Sequence, residues 1–102
     1  ARSSYMRAGE ESNDADIKSR AWHNIGNTYL NEENYSQAAE AFKKSLIHNP
    51  KDEETRHNLA YAQRMLKKQQ NQQQQTFLFE MHHLRLLFDL HPYVELFHFR
   101  IP

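Results

Sequence analysis

The side chains best equipped for chemistry in this 102-residue chain are its seven histidines, four of which (His82, His83, His91 and His98) lie in the last quarter. Imidazole is a common metal ligand, so their spacing decides whether they can share an ion. Adjacent residues on a helix point ~100° apart, so His82 and His83 cannot both face one ion. The seven and six residues that separate His83, His91 and His98 fit no structural zinc pattern. No metal site and no cofactor are expected. The paired carboxylates Asp14/Asp16, Glu32/Glu33 and Glu53/Glu54 fall where loops meet helix starts, and capping and solvation account for them there. No Ser–His–acid spacing appears, and the chain has no cysteine, which removes thiolate nucleophiles, thiolate ligands and disulfides. The expectation is a protein that is not an enzyme.

Composition narrows the alternatives. Thirteen Lys/Arg balance thirteen Asp/Glu, so no excess of positive charge marks a nucleic-acid-binding surface. Two glycines and three prolines argue against a turn-rich β architecture and against a glycine-rich phosphate cradle. Hydrophobic residues make up 38% of the chain, and no apolar run approaches the ~20 residues that span a bilayer. The start, Ala-Arg-Ser-Ser, carries no apolar signal region. A soluble all-α polypeptide of the cytoplasm or periplasm is expected.

The elements that must position any site follow from periodicity. Residues 1–18 are polar and read as a marginal helix followed by the loop 12–16. From 19 to 68 apolar residues recur at helical spacing, with breaks at 31–34 and 48–52, which predicts helices near 17–30, 35–48 and 53–68. Residues 69–75 form a glutamine-rich tract with no apolar face, expected to act as a linker that either prolongs a helix or lies disordered. Beyond it, residues 76–102 hold five of the six phenylalanines and four of the seven histidines, with no Ala, Lys, Asn, Gln, Ser or Gly. Phe77, Met81, Leu84 and Phe88 predict a helix over 77–90; Tyr93, Glu95, Phe97 and Phe99 alternate with Val94, Leu96 and His98 as extended chain would.

One short string returns. His23-Asn24-Ile25-Gly26 recurs thirty-four residues later as His57-Asn58-Leu59-Ala60. Trp22, Ile25, Gly26, Tyr29, Ala38, Phe42 and Pro50 stand at the signature positions of the tetratricopeptide repeat, which the segment therefore resembles. The departure is Ser45, where a small Ala is usual. Each signature residue also has a mechanical role: Gly26 and Ala38 are small where two antiparallel helices approach, and Trp22, Ile25, Tyr29 and Phe42 fill the space beside that contact. Pro50 stops the second helix and Asp52 is placed to cap the next. Residues 53–68 match the first helix of another repeat at Leu59 and Ala60, but carry Arg56 and Gln63 where Trp and Tyr would be, so they resemble a closing helix. Residues 1–18 would then end a preceding repeat. The run Asn49 to Gln63 with its glutamine-rich sequel resembles the repeat proteins of bacterial aerotolerance (Bat) operons.

The resemblance implies a scaffold or adaptor that binds a peptide or partner protein on a concave face lined by Arg20, His23, Asn27, Glu54, His57, Asn58 and Tyr61. Asn27 and Asn58 stand at the asparagines of the subfamily that clamps the C-terminal carboxylate of chaperones. His23 replaces that subfamily's lysine, so the charge-assisted clamp is not expected. A short array leaves an apolar face that only a neighbour covers. The tail at 76–102 is therefore expected to pack on repeat helices, within one chain or exchanged in a homodimer or higher oligomer. Its composition is equally that of an extension with no evolved role.

Overall fold

Asp14 shows how local chemistry starts the main hairpin. Its carboxylate accepts hydrogen bonds from the backbone N–H groups of Asp16 and Ile17, at 2.8 and 3.4 Å, and so caps helix α2, Ala15–Asn31. The loop expected at 12–16 is thereby shortened to 12–14, because a capped helix begins as soon as its first N–H groups have an acceptor. A computed structural model describes residues 1–89, in which α2 is preceded by α1, Arg2–Glu11, and followed by α3, Tyr35–His48, and α4, Glu53–Asp89. There is no strand among the described residues. The extended segment expected at 93–99, together with His91 and His98, lies outside them.

The turn between α2 and α3 is tight and backbone-built. The N–H of Asn34 bonds the carbonyl of Tyr29 at 2.9 Å, and that of Glu33 bonds Leu30 at 3.0 Å. This is the Schellman pattern, which needs a left-handed residue after the helix. Glu33 fills that position with φ 59°, where glycine is the usual occupant. Asn34 then caps α3 by accepting from the N–H of Gln37 at 3.3 Å. Pro50 follows the end of α3, and Asp52 caps α4 through the N–H of Thr55 at 3.1 Å.

Two apolar clusters share helix α2. One gathers Ala38, Ala39 and Phe42 of α3 with Ala62 of α4, joined by Tyr29, Leu30 and Leu59. The other gathers Trp22, Ile25 and Ala41, joined by Tyr5 and Met6 of α1. Gly26 makes the first possible, since a Cβ there would lie 2.4 Å from a ring carbon of Phe42. Trp22 fills space beside the α2–α3 contact, as expected, against Ala41 of α3, and it also meets α1, where Gly9 supplies a flat surface. A Cβ on Gly9 would lie 2.8 Å from the indole.

Arg2 pins α1 antiparallel to α2. Its guanidinium lies 3.9 Å from the Tyr29 ring centre, its Nε donates to Thr28 Oγ1 at 3.0 Å, and it pairs with Glu32. Ser45, the departure from the repeat signature, is fully buried and hydrogen-bonded: its hydroxyl donates to the Ser19 carbonyl at 2.7 Å, which leaves its oxygen to accept from the Ser19 hydroxyl at 3.2 Å. A serine replaces alanine here because a second serine faces it.

The chain divides into two units, Ala1–Lys68 and Gln69–Pro102. Of the two alternatives for residues 69–75 the structure shows the prolonged helix: the helix expected over 53–68 runs on through the tract to Asp89. Glutamine is a good helix former, and no Gly or Pro interrupts 53–89. Residues 70–89 are all exposed.

Candidate peptide-binding face

The proposed binding residues sit on α2 and the first turns of α4, and the structure separates them into three groups. His23, Asn27 and Asn58 come together. His23 Nδ1 lies 2.6 Å from Thr55 Oγ1, its Nε2 lies 3.1 Å from Asn27 Nδ2, and Asn58 Nδ2 donates to Asn27 Oδ1 at 3.3 Å. Glu54 stands at the margin of this group, 3.9 Å from His23 Nε2 and well exposed. Tyr61 turns the other way, edge-on to Tyr35 of α3 with ring centres 6.4 Å apart. Burial, with Glu33 and Tyr61 nearby, pushes the Tyr35 hydroxyl above its ordinary pKa. Arg20 and His57 are exposed and make no side-chain hydrogen bond among the described residues.

His23 offers little to a ligand, with a side-chain exposure of only 16% and the Phe42 ring tilted against it at 6.0 Å. Both ring nitrogens are engaged, so it organises the face more than it offers a contact. Asn27 and Asn58 are half-buried and keep unused amide valences, which suits them to meet a ligand.

Two further participants are Thr55, which the sequence does not mark, and Asp52, which it marks only as a helix cap. Thr55 is fully buried and central, donating its hydroxyl to Asp52 Oδ2 at 2.7 Å while contacting His23. Asp52 is held below the ordinary carboxylate pKa, first by that hydroxyl, then by the Thr55 N–H, the His23 ring and the Glu54 N–H, with partial burial opposing. The available signal was Asp-x-x-Thr at a helix start, where the capping carboxylate reaches the side chain as well as the N–H three residues on. Among the described residues no three His, Asp or Glu side chains converge as metal ligands would, and no helix is long and apolar enough to cross a membrane.

The face is thus a polar seam laid over an apolar hairpin, with small residues letting the helices approach and asparagines along the join.

Residues 19–52 match the tetratricopeptide repeat family. No curated protein and no solved structure matches the chain. The match begins four residues into α2 and takes in the rest of that helix, α3 and the turn after it. Tetratricopeptide repeats are generally protein-interaction modules and typically non-catalytic, and this all-α hairpin is consistent with their architecture. The repeat ends at Asp52, the residue that caps α4 and anchors Thr55.

Proposed function

We propose that the chain binds an extended peptide segment of a partner protein along the seam between α2 and α4, as a scaffold or adaptor module of a longer, Bat-like repeat protein. One observation carries this: Asn27 and Asn58, contributed by different helices, are bonded to each other and half-exposed. A carboxamide held this way presents a donor and an acceptor at fixed spacing, the pattern a peptide group satisfies. Arg20, Glu54 and His57 are exposed around them and supply charge for selectivity. A random-peptide library displayed on phage and selected against the immobilised chain tests this. Selected peptides should lose binding to Asn58→Ala while its melting temperature stays unchanged; peptides that bind Asn58→Ala equally, or an empty selection, overturn it.

A second function, self-assembly, rests on a different observation. Phe77, Met81, Leu84 and Phe88 recur at intervals of four, three and four on α4, a coiled-coil seam, and are between 50% and 72% exposed. Glu80 and Arg85 flank that seam on opposite sides, five residues apart. In a parallel, in-register pair each Glu80 would meet the Arg85 of the second copy, whereas an antiparallel pair would set like charges together. The chain lacks cysteine, so Gln74→Cys reports directly. Parallel pairing predicts an oxidation-dependent covalent dimer; a monomer at every concentration in light scattering rejects self-assembly.

A further inference from the structure

The hydrogen bonds that join Asp52, Thr55, His23, Asn27 and Asn58 form a chain whose direction is set at one end. A carboxylate only accepts, so the Thr55 hydroxyl must donate to Asp52 at 2.7 Å. With its proton committed, Thr55 Oγ1 can only accept from His23, which requires the proton of the neutral imidazole to sit on Nδ1. Nε2 is then an acceptor and takes an N–H from the Asn27 amide at 3.1 Å. Asn27 Oδ1 is consequently the atom turned toward Asn58, and it accepts from Asn58 Nδ2 at 3.3 Å. Every link points the same way, from Asn58 to Asp52, and the Oδ1 of Asn58 is left unused by the chain.

We infer that His23 is a positioning residue that sets, through its protonation state, which hydrogen-bonding groups Asn58 presents to a bound peptide. A proton added to His23 occupies Nε2, the atom that had been accepting from Asn27. Two donors then face each other, and the conflict is relieved when the Asn27 amide turns over to place Oδ1 against Nε2–H. That turn puts Asn27 Nδ2 against Asn58, whose amide must turn in the same way and use its Oδ1 to accept. Asn58 therefore keeps a free acceptor when His23 is neutral, and has its whole NH₂ group free when His23 is charged. The face would prefer a ligand N–H in the first state and a ligand carbonyl or carboxylate in the second.

The groups around His23 permit the charged state without breaking the anchor. From the turn before α4 comes the Asp52 carboxylate, through Thr55; from α4 itself comes Glu54, at 3.9 Å from Nε2; from α3 comes the Phe42 ring, and from α2 the neutral Asn27. Both charged neighbours are acids. Nδ1–H donates to Thr55 in either protonation state, so the Asp52 end of the chain does not change and the reversal is confined to the two asparagines.

The consequence for ligand choice rests on the peptide-binding function proposed above, whereas the network itself is a property of the free chain, and the test needs no peptide. Nitrogen-15 spectra of the full chain at pH 8 should show His23 protonated at Nδ1. On acidification the side-chain NH₂ resonances of Asn27 and Asn58 should both shift with the midpoint of the His23 ring. In His23→Gln that shift should vanish, and in His57→Gln, an exposed neighbour, it should persist. Thr55→Val, which removes the acceptor at Nδ1, should raise the share of the Nε2–H form. A dominant Nε2–H form in the unmodified chain, or an Asn58 amide that ignores pH or follows His57, overturns the inference. If the amides titrate as stated and no peptide is ever selected, the binding function fails and the switch stands.

Discussion

The repeat hairpin at 19–52 and the helical stretch at 69–89 are built from the same backbone conformation, yet only one of them encloses a core. The stretch carries larger apolar side chains, with Phe77, Phe79 and Phe88 at 59%, 72% and 72% exposure. In the hairpin Phe42, Ile25 and Ala38 are wholly buried. The difference lies in the partner positions: Gly26, Ala38, Ala39 and Ala41 allow close approach, and residues 76–89 contain neither Gly nor Ala. A core needs complementary small and large residues as well as hydrophobicity.

The sharpest way to break that contrast is Phe42→Ala. It empties the centre of the hairpin and should cost roughly 3–5 kcal/mol, enough to unfold so small a unit, as urea denaturation followed by circular dichroism would show. Gly26→Ala should come next, at about 1–3 kcal/mol, because the new methyl meets the buried Phe42 ring and that clash outweighs alanine's better helix propensity. Gly9→Ala should cost less, since its closest contact at 2.8 Å is with Trp22, which retains 8% exposure and more room to shift. Ser45→Ala restores the usual repeat residue but strands the Ser19 hydroxyl, so a loss of about 1 kcal/mol is expected, and Ser19→Ala in the same chain should recover part of it.

Asp52→Asn keeps the cap and removes the charge. The folded-state pKa of Asp52 is lowered, so its contribution is present above the unfolded value of 3.8 and is lost as pH falls through the lower folded one. The unmodified chain should therefore be the more stable at neutral pH, with the difference closing in acid; thermal melts from pH 7 down to about 2 follow it. Smallest of all should be Phe77→Asp combined with Phe88→Asp in the exposed stretch, within about 0.5 kcal/mol for unfolding of residues 1–68 at concentrations where the chain is monomeric. A large loss there would mean these side chains serve the folded hairpin after all.

Much of the fold was legible from one dimension. Periodicity places α3 at its observed bounds, Tyr35–His48, and α2 within two residues, because apolar spacing and the breaks at 31–34 and at Pro50 are local signals. The signature residues marked the hairpin core for the same reason: small residues at fixed offsets have one mechanical use. The sequence also bounded the chemistry, since the absence of cysteine and the scatter of histidines are facts of composition and spacing.

What the tertiary structure alone decided are the pairings between distant positions. Trp22 packs on α1 as well as on α3 because Gly9, thirteen residues away, offers a bare surface, and nothing at position 22 encodes that contact. Ser45 became intelligible only when Ser19 was found opposite it. Whether α4 stops at residue 68 or runs on through the glutamine tract was open in the sequence, because helix propensity favours continuation while the tract has no apolar face to hold it, and the structure shows continuation. His23 shows the limit most clearly. Its residue type and its place on α2 were readable, but its tautomer is dictated by Asp52, through a threonine thirty-two positions away in sequence and 2.6 Å away in space. Hydrogen-bond direction is a property of closed contacts, and the fold is what closes them.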